Sequence, residues 1–148
     1  MLVVTSAAKA NARAHGGEVL LRMAAANSID ILLVEDDPLV RDVLLEALTD
    51  AGLEVMPVGT AEDGLDALDR QGQPLPAAVV ADVNLGPGID GVALAEEVCR
   101  RWPSVAVVVM TGDDRSVDGL PDALRKNCLV KPFELEQLVA AVKTRIRR

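Results

Sequence analysis

Aromatic side chains are nearly absent from this sequence: one Trp, one Phe and no Tyr in 148 residues. Such a chain has no platform on which nucleic-acid bases could stack, and little with which to sandwich a flavin ring. Histidine is just as scarce. The only one, His15, lies in a polar, Ala-rich stretch near the N-terminus, which removes multi-histidine metal sites and a Ser-His-Asp triad inside the fold. The two cysteines, Cys99 and Cys128, lack metal-ligand spacing and are read as reduced core thiols. Long apolar runs are missing too. The longest, Val105 to Met110, stops at Thr111-Gly112-Asp113-Asp114, far short of the roughly 18 residues that a membrane span needs. Basic charge is in deficit: 15 Lys and Arg against 23 Asp and Glu leave a net charge of -8. A domain of that charge repels phosphate backbones and anionic lipid, which argues against direct nucleic-acid or membrane binding. No secretory h-region with a cleavage site precedes the domain, and the protein is read as cytoplasmic.

Hydrophobic residues make up 50% of the chain, enough for one core in a domain of ordinary size. Residues 1–28 stand apart: Ala-rich, with Gly16-Gly17 and three basic residues, Lys9, Arg13 and Arg22, against Glu18 alone. They are read as a flexible N-terminal extension, part of which could come from a start upstream of Met23. The folded domain is assigned to residues 29–148.

From Ile29 onward, short apolar runs alternate with segments of helical period. Ile29 to Val34 reads as a strand ending at Glu35-Asp36-Asp37-Pro38. Pro38 then opens a helix marked by Leu39, Val40, Val43, Leu44, Ala47 and Leu48, with Asp37 as its cap and Gly52 as its stop. Leu53 to Val58 reads as a strand, Thr60 as the cap of a helix through Arg70, and Ala77 to Ala81 as a strand followed by the loop Asp82 to Gly88. A third helix opens at Asp90 or Gly91, presents Val92, Ala95, Val98, Cys99 and Trp102, and stops at Pro103. Val105 to Met110 is a fourth strand. A weak helix over 116–126 is broken by Gly119 and Pro121, Cys128 to Val130 is a short fifth strand, and Leu135, Leu138, Val139, Val142 and Ile146 mark the last helix. This alternation predicts an α/β fold: a doubly wound, five-stranded parallel sheet flanked by five helices in three layers, flavodoxin-like in class.

In such folds chemistry gathers at the carboxyl ends of the strands. Those ends carry Glu35-Asp36-Asp37, Asp82, Thr111 and Lys131. Carboxylates brought together there repel one another unless a cation lies between them. A hard divalent ion such as Mg²⁺, bound through one or two carboxylates and a phosphate oxygen, suits that set. A hydroxyl and an ammonium at the same rim suit the remaining oxygens of a phosphoryl group, and Asp82 is a candidate nucleophile able to form an acyl phosphate.

Glu35-Asp36 after Ile31-Leu32-Leu33-Val34, Asp82 after Val79-Val80-Ala81, Asp90-Gly91, Thr111-Gly112 after Val107-Val108-Val109-Met110, and Lys131-Pro132-Phe133 together resemble the receiver domain of two-component response regulators, over about residues 29–148. The resemblance implies Asp82 as phosphoacceptor and a Mg²⁺ site formed by Asp36, Asp82 and the backbone carbonyl of Asn84, with Glu35 acting through water. It implies Thr111 as the switch hydroxyl, Lys131 as the partner of a phosphoryl oxygen, and a cis peptide before Pro132. The implied role is a signalling switch with no enzymatic activity beyond its own aspartyl phosphorylation and dephosphorylation. The implied partners are a sensor histidine kinase or a histidine phosphotransfer protein, a downstream protein target, and a second copy of the chain as a homodimer. The sequence runs from the last helix into Arg145-Ile146-Arg147-Arg148 and is read as a receiver without an output domain. Asp90-Gly91 is read as a turn and helix start, and Trp102 and Phe133 as packing residues.

One departure bears on the switch. The family usually carries an aromatic three residues before the lysine, and here that position is Cys128. Together with the interrupted fourth helix, this predicts a mobile or shortened helix there. Three other readings compete: a receiver-like scaffold that is not phosphorylated, a flavodoxin-like electron carrier, and a phosphatase. The acidic first loop opposes the second, because a flavin phosphate needs hydroxyls and backbone N–H groups. A phosphatase using the same aspartyl chemistry wants a second Asp two residues after the nucleophile, where Asn84 stands.

Overall fold

A computed structural model describes residues 28–112 and 117–146. His15 and the extension before Ser28 lie outside the described residues. Ten elements lie wholly within the described residues, strand and helix in turn: β1 (Ile31–Val34), α1 (Pro38–Asp50), β2 (Val55–Val58), α2 (Ala61–Leu68), β3 (Ala78–Asp82), α3 (Gly91–Arg101), β4 (Ala106–Thr111), α4 (Asp122–Arg125), β5 (Cys128–Val130) and α5 (Leu135–Arg145). The strands form one sheet in the order β2-β1-β3-β4-β5, and every pairing is parallel. The expected doubly wound sheet is the observed one.

Because side chains alternate across a strand, each central strand feeds two cores. Ile31, Leu33, Ala78, Val80, Val108 and Met110 pack under α1 and α5 with Leu44, Leu48, Leu138 and Val142. Leu32, Val34, Val79, Ala81, Val107 and Val109 pack under α2, α3 and α4 with Leu68, Leu94, Val98 and Leu124. Burial on both faces is why β1, β3 and β4 read as continuous apolar runs. At the sheet edge, β2 carries Pro57, exposed and without an N–H, where a proline is tolerated and blunts further pairing.

Local signals set the helix starts. Asp37 accepts the N–H groups of Leu39 and Val40, Thr60 that of Asp63, and Asp90 that of Ala93. The fourth helical segment is interrupted as predicted: residues 117 and 118 are helical, Gly119-Leu120-Pro121 is not, and α4 has four residues.

Several sequence assignments are corrected. Asp82 and Thr111 are not loop residues past their strands but the last residues of β3 and β4, held by the ladders Asp82↔Met110 and Thr111↔Val130. Cys99 is an exposed thiol and not a core one, while Cys128 is half-buried. On α3 the buried face is Gly91, Leu94, Ala95 and Val98, and Cys99 lies a further 100° around the helix. For the same reason Leu39, 77% exposed, and Val43, 51% exposed, flank the buried stripe of α1, and Leu135 opens α5 at its exposed end. Trp102 and Phe133 pack against the two cores as expected, with the Arg101 guanidinium stacked 4.3 Å from the Trp102 ring centre. No helix among the described residues is long and apolar enough to cross a membrane.

Candidate functional site

Parallel pairing brings the carboxyl ends of β1, β3, β4 and β5 to one rim, at the place where the order reverses between β1 and β3. Strand β1 delivers Glu35 and Asp36, β3 delivers Asp82, β4 delivers Thr111, and β5 runs directly into Lys131. Three of these are polar groups taken out of water: Glu35 is 1% exposed, Asp82 5% and Thr111 0%.

Asp82 sits at the centre. Its Oδ1 accepts the Asn84 N–H at 2.8 Å, and its Oδ2 accepts a charge-assisted bond from the Lys131 ammonium. Lys131 Nζ also lies 3.8 Å from Glu35 Oε1. The backbone seats the lysine, since its N–H donates to the Thr111 carbonyl at 2.7 Å, and the Lys131–Pro132 peptide is cis, as the resemblance implied. Burial works against the ammonium, but contact with Asp82 and the charges of Asp82, Glu35 and Asp36 outweigh it and lift its pKa above the ordinary lysine value.

Glu35 is the most perturbed group. Burial raises its carboxyl from 4.5 to about 7, helped by Asp36 and the charge of Asp82 and opposed by the Asp37 N–H and by Lys131. The Asp37 N–H donates to Oε2 at 3.2 Å, while Oε1 is buried with no hydrogen-bond partner. A buried carboxylate oxygen without a hydrogen bond, in a group of three carboxylates faced by one ammonium, leaves negative charge that a further cation would offset. Among the described residues no three His, Cys, Asp or Glu side chains form a ready-made metal cage. A small cation that keeps several waters does not require one: two carboxylates and a carbonyl meet its protein-side needs. The residues present therefore fit Mg²⁺.

Neighbouring elements hold this arrangement in place, and one of those contacts, from Arg41, has no counterpart in the sequence reading. Arg41, one turn into α1, donates from Nη1 to the Glu35 carbonyl at 2.9 Å and so fixes the turn that carries Asp36. Gly91 lets α3 start directly against the end of β3, because a Cβ there would stand 1.8 Å from the Asp82 carbonyl oxygen. The Asp90-Gly91 turn is thus structural, as read, and its glycine is demanded by close approach. An arginine three residues after a helix-opening proline was the one available signal for Arg41.

The family model for the response regulator receiver domain matches residues 31–143. Among curated relatives, response regulator protein FleR of Pseudomonas aeruginosa is 38% identical over 115 residues, which cover 76% of this chain and 23% of FleR. The DNA-binding transcriptional regulator NtrC of Klebsiella pneumoniae is 34% identical over 113 residues, 74% of this chain and 23% of NtrC. Response regulator MprA of Mycobacterium bovis is 36% identical over 124 residues, 82% of this chain and 52% of MprA. The chain thus spans about a quarter of FleR and NtrC and about half of MprA. Among solved structures, the receiver domain of NtrX from Brucella abortus superposes with a TM-score of 0.69 at 27% identity, covering 79% of this chain and 98% of that one. A response regulator receiver protein from Sinorhizobium medicae gives 0.68 at 27%, covering 80% and 94%.

Proposed function

This chain belongs to the response regulator receiver domain family, and on that premise we propose that it is a phosphorylation-controlled switch of two-component signalling whose phosphoacceptor is Asp82. The observation that carries the reading is a buried Asp82 carboxylate at the end of β3 in contact with the Lys131 ammonium, which also faces the buried Glu35.

In the proposed reaction an Asp82 oxygen attacks the phosphorus of a phosphohistidine donor. A P–O bond forms, the P–N bond breaks, and the donor imidazole leaves with its electron pair and takes up a proton. Asp36, Asp82 and the Asn84 carbonyl would hold Mg²⁺, with Glu35 acting through water. The ion, when bound, offsets the charge of the phosphoryl oxygens. Lys131 leaves its ion pair with Asp82 Oδ2 for a phosphoryl oxygen, so the pocket exchanges one charge-assisted contact for another. Thr111, at the end of β4, supplies the hydroxyl that reads the phosphorylated state. The donor is a sensor histidine kinase or a histidine phosphotransfer protein, and output passes by protein–protein contact to a downstream target or a second copy. The domain catalyses its own phosphorylation and dephosphorylation only, which makes it a switch and not an enzyme acting on other substrates.

The test is incubation with acetyl phosphate and Mg²⁺, read by intact mass. Wild-type protein is expected to gain one phosphoryl group, with none gained by Asp82→Asn or after chelation. A folded wild type that gains nothing, beside a control receiver that does, would favour the unphosphorylated scaffold.

A further inference from the structure

The loop between β3 and α3 carries Asn84 across the end of the acceptor strand, and the acidic pocket holds only its first half. The Asn84 N–H is tied to Asp82 Oδ1, and Gly86 lies against Asp36, where a Cβ would stand 3.4 Å from Oδ2. The second half is held from outside the pocket. Glu62, in the first turn of α2, extends to this neighbouring loop, where its Oε2 accepts the Ile89 N–H at 3.3 Å. At the adjoining Gly88 the backbone has φ +98°, and a Cβ there would stand 2.5 Å from that same Oε2. The left-handed backbone favours glycine at residue 88, and the Glu62 carboxylate occupies the space that its missing Cβ leaves.

We infer that Glu62 is a positioning residue for the acceptor pocket: by anchoring residues 88–89 it fixes where the loop presents the Asn84 carbonyl, and so sets the Mg²⁺ affinity of the site. Glu62 acts through the loop and touches no reacting atom in the proposed transfer. This couples α2, an element that supplies no ligand, to the metal-binding end of the pocket. The inference rests on the acceptor reading of Asp82.

Glu62→Ala, Glu62→Gln and Asp63→Ala separate the contact from its alternatives, with Mg²⁺ binding measured by calorimetry and amide exchange over residues 84–90 followed in metal-free protein. Loss of one hydrogen bond of ordinary strength predicts that Glu62→Ala weakens Mg²⁺ binding by roughly fivefold and speeds exchange at Ile89. Glu62→Gln keeps an oxygen that can accept the same N–H and is expected to recover most of both. Asp63→Ala removes a first-turn charge of the same helix without that contact and is expected to match wild type. Equal losses in Glu62→Gln and Asp63→Ala would overturn the inference in favour of a general charge effect, as would wild-type values for Glu62→Ala. Wild-type protein that binds no Mg²⁺ would overturn the acceptor reading and this inference together, whereas wild-type binding with an unaltered Glu62→Ala overturns the inference alone.

Discussion

Strand β3 is buried at all five of its positions, whereas β5, at the far edge of the same sheet, is three residues long, half-buried at two and exposed at the third. The helices beside them differ in the same direction. On the acceptor side, α1 runs 13 residues from an Asp37 cap; beside β5, α4 has four residues and no side-chain cap. The half that carries the proposed phosphoacceptor is backed by two cores and by the contacts of Arg41, Glu62 and Gly91. The half that in this family reads out the event rests on Leu120 and Leu124 and on Cys128, where an aromatic is usual. The physical lesson is a division of labour: phosphoryl transfer needs side chains held to fractions of an ångström, while a switch needs a low-stability element to move.

The largest expected effect breaks the firm side. Gly91→Ala places a methyl group against the rigid carbonyl of Asp82, with no flexible side chain to yield, and about 3 kcal/mol or more of stability is expected to be lost in denaturant titration. Next comes Val80→Ala, which empties a fully buried position of β3 and is expected to cost about 2 kcal/mol.

A comparable effect, with a pH signature, comes from Glu35. Its carboxyl titrates near 7 in the folded metal-free protein and near 4.5 when free. Between those values the folded state holds a proton that the unfolded chain has released, so stability falls as pH rises through this window and is constant above it. Glu35→Gln is expected to remove that fall, leaving the variant of order 2 kcal/mol more stable than wild type at pH 8 and no more stable at pH 4. Mg²⁺ is expected to offset the same fall in wild type, because it binds the ionised site. Thermal unfolding across pH, with and without Mg²⁺, reads all three.

The smallest effect sharpens the loose side. Val130→Ala, in β5 and 38% exposed, is expected to change stability by less than about 0.5 kcal/mol.

Much of this asymmetry was legible in the residues. Apolar runs too short for helices gave β1, β3 and β4. Asp37, Thr60 and Asp90 announced their helix starts by cap chemistry, and Gly119 with Pro121 announced the break before α4. Glu35, Asp36, Asp82, Thr111 and Lys131 were recognisable because each follows or ends a strand. What escaped has physical reasons. Period alone does not rank the positions beside a buried stripe, so Leu39, Val43 and Cys99 read as core. Strand ends shift by one residue when a ladder bond forms to a neighbour distant in sequence, which moved Asp82 and Thr111 into their strands. The contact from Glu62 to Ile89 joins residues 27 apart and leaves no periodic mark at either end.

Native-state hydrogen exchange, followed residue by residue in low denaturant, tests the division most directly. Amides of β1 and β3 are expected to exchange only through global unfolding, and those of α4 and β5 through openings of much lower free energy and little denaturant dependence. Equal protection of α4, β5 and β3 would contradict the account, because both halves of the pocket would then be held with the same firmness.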